Sequence, residues 1–339
     1  WNGFSRCARN AAARGTWEAD VMYGYVSIAK LSIAIRNQLY RISRDVDLIV
    51  GVPRSGMIPA YMIGLYLNRI VTDLEMFLAN GIAGHGSTRH LSASLAALHD
   101  AKHILLVDDS LASGASMQRA LERIDATRFA GKVSTCAAIV TPAQYRSVDI
   151  AFMTVPHPRI FEWNAFHHAC VADACFDLDG VLCVDPEDSD NDDGERYELF
   201  LKTARPLFQP TQQIGHIVSA RLEKYRGLTE QWLAAHGISY GALHLVDLPS
   251  KEERIRQGAH CAHKIRVYKQ TGAALFYESD PGQAQEIARG SGKPVLCVGT
   301  MEMMMPDGLH PATAAKAALW RLRTPLGRAK GWLKQWVRA

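Results

Sequence analysis

The sequence predicts an α/β chain made of two three-layer domains with mostly parallel sheets, and three observations carry that reading. The chain has 339 residues, more than a single core usually serves, so two domains are expected. Its apolar runs are short and end in acids or tight turns, as in Ile104–Val107 before Asp108-Asp109 and Leu48–Val52 before Pro53-Arg54. Runs of this kind mark strands buried on both faces. The segments that follow them return to helical periodicity, the alternation from which parallel sheets with crossover helices are built.

Bulk composition narrows the class. Apolar content of 48% and charged content of 21% are ordinary for a globular protein. No apolar run reaches the ~18 residues of a spanning helix. The seven cysteines (Cys7, Cys136, Cys170, Cys175, Cys183, Cys261, Cys297) form no C-x-x-C pair and no zinc spacing, which reads as reduced thiols in a cytoplasmic protein. Net charge is +4, yet Trp320–Ala339 alone holds six Arg or Lys and no acid, leaving −2 for the rest. The body is therefore not expected to bind nucleic acid, and the basic signal lies in a tail.

Taken in order, Asp20–Arg44 has helical periodicity with few turn formers. Strand Leu48–Val52 ends in Pro53-Arg54-Ser55-Gly56 ahead of a helix, a tight turn with a basic residue flanked by small ones that suits an anion. Ala79–Leu91 follows, with Gly81, Gly84 and Gly86 among His85, Ser87, Thr88, Arg89 and His90, and reads as a mobile loop. The central stretch is Ile104–Ser116. Its buried strand ends in Asp108 and Asp109, and Ser110-Leu111-Ala112-Ser113-Gly114-Ala115-Ser116 runs into a helix beginning near Met117. Ligands of open parallel sheets bind beyond the carboxyl ends of the strands. A loop of Ser, Gly and Ala at a helix start offers N–H groups and hydroxyls to a phosphate. Two acids beside a phosphate cradle make sense when a ribose separates them, with its vicinal hydroxyls on the carboxylates and its 5-phosphate in the loop. Val133–Thr141 and Ile150–Val155 continue the sheet. Pro156–Asn164 contains Glu162 and Trp163, either an aromatic site for an acceptor or an aromatic plug at a domain junction.

These residues resemble the type I phosphoribosyltransferases. Asp108-Asp109 and the following loop resemble their phosphoribosyl pyrophosphate (PRPP) motif, and the Arg54 turn resembles their pyrophosphate loop, in the right order. The resemblance implies PRPP as donor with Mg²⁺. Arg54, Ser55 and Gly56 would lie at the pyrophosphate, and Asp108 and Asp109 at the ribose. Ser110, Ala112, Ser113, Gly114, Ala115 and Ser116 would lie at the 5-phosphate, and Arg89 and His85 on a closing loop. Purine-salvage members place an acid where this chain has Ala112, which argues against a hypoxanthine or guanine acceptor. Glu162 is the acid placed to serve as base for a hydroxyl acceptor, and Trp163 to stack on a base or sugar.

The second half opens on Ala174-Cys175-Phe176-Asp177-Leu178-Asp179-Gly180, a buried strand ending in acids two apart. Residues i and i+2 of an extended chain face the same way, so both carboxylates address one site and Gly180 lets the chain turn away. Strand Ile214–Val218 ends in Ser219-Ala220-Arg221. Lys264 precedes an apolar strand, with Lys251 and Lys269 as weaker rivals, and Ala273–Tyr277 leads to Glu278-Ser279-Asp280. This order resembles the haloacid dehalogenase-like phosphatases. The resemblance implies Asp177 as nucleophile, Asp179 as acid and base, Ser219 and Lys264 as phosphate and charge partners, and Mg²⁺ held by Asp177, Asp179, Glu278 and Asp280. Short intervals between the motifs leave room for at most a small cap, hence a mouth open to bulky substrates. Asp185–Glu195 imitates a calcium loop only in part, since, counted from Asp188, Asp193 stands at the sixth position in place of Gly and Leu199 at the twelfth in place of Glu; it reads as a solvated acidic loop.

The expected domains are residues 1–155, a linker 156–173, a phosphatase domain 174–305 and a basic helical tail 306–339. In the tail, Trp332, Leu333, Trp336 and Val337 lie on one side and Lys330, Lys334 and Arg338 recur at spacings of four. It would lie on an anionic membrane surface or a partner, or pack back on the body. The pairing of domains resembles bacterial glycan phosphoribosyltransferase/phosphoribosyl phosphatase pairs. That resemblance implies transfer to a glycan or lipid-linked glycan, then loss of the 5-phosphate, in the cytoplasm or at the inner membrane face. A nucleobase transferase with an attached nucleotidase and a PRPP-sensing regulator are the alternatives.

Overall fold

The computed structural model describes residues 23–82, 95–187, 189–190 and 193–308. Tyr23–Trp163 forms one compact unit and the described residues from Asn164 onward another. The loop at Arg89 and His85 and the basic tail lie outside the described residues. Among those described, no helix is long and apolar enough to cross a membrane.

The first unit runs β1 (Gly24–Val26), α1 (Ile28–Gln38), β2 (Leu48–Gly51), α2 (Met57–Leu67), β3 (Ile70–Asp73), α3 (Leu74–Leu78), β4 (His103–Leu111), α4 (Ala115–Ala126), β5 (Lys132–Val140), β6 (Ile150–Thr154) and β7 (Arg159–Phe161). Its five-stranded sheet has the order β3-β2-β4-β5-β6 and is parallel throughout. Both faces are covered. Leu48, Val50, Ile104 and Leu106 point into one core, while Ile49, Leu105 and Val107 point into the other. That is the period-two alternation of a sheet sandwiched between helices.

The helix expected from Asp20 to Arg44 is shorter than its periodicity suggests. Gly24–Val26 is a strand paired in parallel with Arg159–Phe161, and Ser27 then caps α1 by accepting from the Lys30 N–H. The pairing partner lies far along the chain, so local periodicity carries no sign of it. The same strand changes the picture of residues 156–173, expected as a linker. They hold β7 and the short 3₁₀ turns Glu162–Asn164 and Ala169–Asp173.

The second unit runs β8 (Ala174–Phe176), α5 (Glu195–Thr203), β9 (Ile214–Leu222), α6 (Arg226–Ala235), β10 (Tyr240–Val246), α7 (Lys251–Arg256), α8 (Ala259–Gln270), β11 (Leu275–Glu278), α9 (Pro281–Ser291), β12 (Val295–Cys297) and β13 (Glu302–Met304). Its six strands lie in the order β10-β9-β8-β11-β12-β13, with only β13 antiparallel to its neighbour. Lys264 is on α8 rather than in a loop before the strand. Among the described residues of the acidic stretch, Asp193 is anchored by Lys224 and Tyr225. Burial opposes ionisation of Asp193, but hydrogen bonds from Lys224 and Tyr225 hold its carboxyl down to about 2. The six described cysteines are all free and buried; burial pushes the Cys170 thiol up to about 12.

Candidate active sites

In the first unit, register brings two loops together. β2 and β4 pair with Gly51 opposite Val107, and the Val52 N–H donates to the Val107 carbonyl at 2.8 Å. The Arg54 turn therefore starts beside Asp108. Gly56 closes the approach: a Cβ there would stand 2.5 Å from the Val52 carbonyl oxygen, 2.9 Å from that of Val107 and 3.1 Å from the Asp108 Cα. Only a residue without a side chain fits, which explains the glycine in this turn. Arg54 is exposed, Ser55 half-buried, and the Pro53–Arg54 peptide is cis.

Asp108 and Asp109 are 6% and 7% exposed at the end of β4. The Asp109 N–H donates to Asp108 Oδ1 at 2.9 Å. Burial, reinforced by the charge of Asp109, pushes the Asp108 carboxyl up to about 7. Ser110 is still in the strand, paired with Ile139, and Leu111 ends it. Ala112 and Ser113 are exposed, the Ser113 hydroxyl accepts from the Ala115 N–H at 3.4 Å, and Gly114 turns the chain with a φ of 82° into α4. That left-handed conformation suits glycine. With Ser116 in the first turn, the loop presents N–H groups and hydroxyls at a helix start, as an anion cradle requires.

Glu162 and Trp163 are engaged otherwise than the sequence suggests. Glu162 Oε2 accepts from the Ile28 N–H at 2.7 Å, capping α1. The Trp163 indole Nε1–H donates to Asp109 Oδ2 at 2.9 Å, and its ring stacks on Phe161 at 4.9 Å. Arg159, 6% exposed, donates from Nη2 to the Leu111 carbonyl at 2.8 Å. The sequence reading missed Arg159.

The second unit gathers another set. Lys264, buried on α8, donates from Nζ to Asp177 Oδ2 at 2.7 Å, to Glu278 Oε2 at 2.7 Å and to Gln283 Oε1 at 3.1 Å. Burial pushes Asp177 up to about 8, against the pull of Lys264 and with the push of Glu278 and Asp179. The two carboxylates raise Lys264 in turn, outweighing its burial. Two acids sharing one buried ammonium are one positive charge short of balance, so retention of a proton is favoured. Gly180, with a φ of 78°, packs so closely that a Cβ would stand 2.3 Å from Ser279 Oγ, joining the loop after β8 to the loop after β11. Ser219, on β9 beside β8, accepts from the Arg221 N–H at 3.2 Å. Lys251 and Lys269 are not in this cluster: Lys251 begins α7 and Lys269 lies near the end of α8.

Arg221 is the residue whose role the sequence reading left open. Its guanidinium grips Asp179 through three hydrogen bonds of 2.6, 3.1 and 3.2 Å. Its place two residues after Ser219 on a strand was the available sign, since the two share a face.

The four residues expected to hold Mg²⁺ do not converge as a ligand set. Among the described residues no group of three or more His, Cys, Asp or Glu side chains is placed to hold a metal ion. Carboxylate oxygens suit a hard cation, but here Lys264 takes Asp177 and Glu278, Arg221 takes Asp179, and Asp280 Oδ1 caps α9 by accepting from the Gly282 and Gln283 N–H groups at 2.8 Å.

Comparison with known proteins bears on the first half. Residues 24–174 match the phosphoribosyl transferase domain family, a span that runs through the stretch expected as a linker. No curated protein matches the chain. Among solved structures, it is similar to the Helicobacter pylori xanthine-guanine-hypoxanthine phosphoribosyltransferase, with 17% identity over 42% of this chain and 92% of that one and a TM-score of 0.32. It is also similar to a purine phosphoribosyltransferase of Pyrococcus horikoshii, with 18% identity over 41% of this chain and 92% of that one and a TM-score of 0.30. The adenine phosphoribosyltransferase of Leishmania tarentolae gives 16% identity over 37% and 71% and a TM-score of 0.27. Residues 24–174 are thus a phosphoribosyl transferase domain of type I.

Proposed function

We propose that the chain installs a ribofuranosyl group in two steps, transferring 5-phosphoribosyl from PRPP to a glycan acceptor of surface-polysaccharide assembly and then removing the 5-phosphate in a haloacid dehalogenase-like second domain. The observation that carries the reading is that one chain joins a phosphoribosyl transferase domain to a separate α/β unit in which Lys264 bridges Asp177 and Glu278 at strand ends. A transferase product of this kind carries a 5-phosphate, and a phosphatase on the same chain most economically removes it. A salvage enzyme exists to keep that phosphate, whereas a glycan takes a bare ribofuranose. Ala112, where purine-salvage members have an acid, supports the same choice.

In the first step diphosphate leaves the anomeric carbon, and positive charge spreads over that carbon and the ring oxygen. Arg54 and the turn amides neutralise the departing diphosphate, the loop Ala112–Ser116 holds the 5-phosphate, and Asp108 and Asp109 accept from ribose hydroxyls and favour the cationic transition state. Mg²⁺, bound together with the donor, would supply further neutralising charge. An acceptor hydroxyl then bonds to the anomeric carbon from the opposite face, and its proton passes to the departing diphosphate. In the second step an Asp177 oxygen attacks phosphorus and the sugar oxygen leaves with a proton from Asp179. Water, deprotonated by Asp179, then cleaves the aspartyl-phosphate and releases inorganic phosphate. Ser219 and Lys264 face the phosphoryl oxygens. PRPP use places the work in the cytoplasm, and a lipid-linked acceptor would bring the basic tail to the membrane face.

The test is incubation of the full chain with Mg²⁺, PRPP and either lipid-linked glycan or a panel of nucleobases. Pyrophosphate release with the glycan supports the proposal. Release only with a base turns the reading to a nucleobase transferase with a nucleotidase, and release with neither to a PRPP sensor. D177N should stop the glycan product one phosphate heavier than wild type; an unchanged product mass rejects the coupled scheme.

A further inference from the structure

The five residues Arg159–Trp163 form one device clamped on the PRPP motif. Trp163 donates to Asp109 Oδ2 at 2.9 Å. The Phe161 ring lies 4.9 Å away, inclined by 18°, and covers one indole face. The Arg159 guanidinium stands 5.5 Å from the Phe161 ring and donates to the Val155 carbonyl at 3.2 Å. It also donates to the Leu111 carbonyl at 2.8 Å, the last residue before the 5-phosphate loop. Glu162 caps α1, which fixes the stretch between its two working ends. Arg159 also acts on Asp109 through its charge.

From this geometry we infer that Trp163 and Arg159 are positioning residues for the donor, orienting Asp109 and the loop that follows Leu111. The inference rests on the PRPP reading of Asp109. An aspartate at a strand end is free to rotate about its side-chain bonds. An indole N–H on one oxygen removes that freedom and presents the other oxygen in a single direction. The order of ring and charge also matters: Phe161 sets the indole plane, and Arg159 sets Phe161.

The experiment is calorimetric titration of the full chain with PRPP and Mg²⁺ in the absence of any acceptor. Trp163→Phe keeps a ring on Phe161 but has no N–H, and should bind PRPP about tenfold more weakly, the worth of one hydrogen bond to a charged group. Trp163→His keeps a ring N–H at shorter reach and should fall between the two. Melting curves establish that each variant is folded, and either one suffices for the comparison with wild type. If wild type binds and Trp163→Phe binds as tightly, the positioning role is overturned while the donor reading stands. If wild type does not bind PRPP, the donor reading itself fails. An acceptor platform would leave PRPP binding in the absence of acceptor unchanged in every variant.

Discussion

Asp108 offers the sharpest test of the first site, because its environment opposes its own ionisation. In an unfolded chain its carboxyl titrates near 3.8, and burial beside Asp109 lifts it to about 7. The folded state therefore holds a proton that the unfolded state has already lost, so stability falls as pH rises from about 4 to about 7 and is level above that. At 1.36 kcal/mol per unit, the full shift is worth about 4 kcal/mol, an upper figure because Asp109 shares the field. Asp108→Asn has the same shape and keeps the oxygen that accepts from the Asp109 N–H at 2.9 Å. At about pH 8 it should be more stable than wild type by roughly 2–4 kcal/mol, and at about pH 4.5 nearly equal to it. Denaturant unfolding at the two pH values, followed by far-ultraviolet circular dichroism, reads both numbers. The same variant should bind PRPP poorly, since a site built for function gives up stability to keep its charge. A variant whose stability relative to wild type does not change between the two pH values refutes the reasoning.

Three further outcomes follow from geometry. Lys264→Met leaves Asp177 and Glu278 buried without their common cation and should lower stability by about 3–5 kcal/mol in urea titration; a loss under about 1 kcal/mol would mean that solvent already reaches the pair. Asp179→Asn removes the proposed acid, so hydrolysis of a sugar phosphate, whose alkoxide needs a proton, should fall by about 10²–10⁴-fold. Nitrophenyl phosphate needs none and should fall by less than about tenfold, whereas equal losses on both substrates would deny Asp179 the role of acid. Gly56→Ala forces a methyl against three backbone atoms of Val52, Val107 and Asp108 and should cost about 1–3 kcal/mol in thermal or denaturant melts; an unperturbed melt would place the turn farther from β4.

What could be read in the sequence and what could not divide along a physical line. Leu48–Val52, Ile104–Val107 and Ala174–Phe176 were legible as strands because a strand buried on both faces is uniformly apolar and is followed by acids or a tight turn within a few residues. The continuation of the central strand through Asp108 and Asp109 to Leu111 was not, because its polar residues read as the start of a loop. The strand at Gly24–Val26 was not, since three residues next to a helix have no period of their own and take their conformation from Arg159–Phe161. Side-chain partners were less legible still. Lys264 was singled out from its order among the motifs, but its three acceptors come from the residue after β8, from β11 and from α9, and no spacing rule links them. Glu162 and Trp163 were singled out for an acceptor, while their bonds to the Ile28 N–H and to Asp109 could not be read, because residue type tells which bonds a side chain seeks and not which group the fold delivers to it. Arg221 shows the intermediate case. Alternation places it on the Ser219 face, so its nearness to the acids was open to inference, while its choice of Asp179 depended on a loop that turns only because Gly180 lies hard against Ser279. Chemistry at a strand end is thus announced locally, and the hydrogen bonds that orient it are settled by segments remote in sequence.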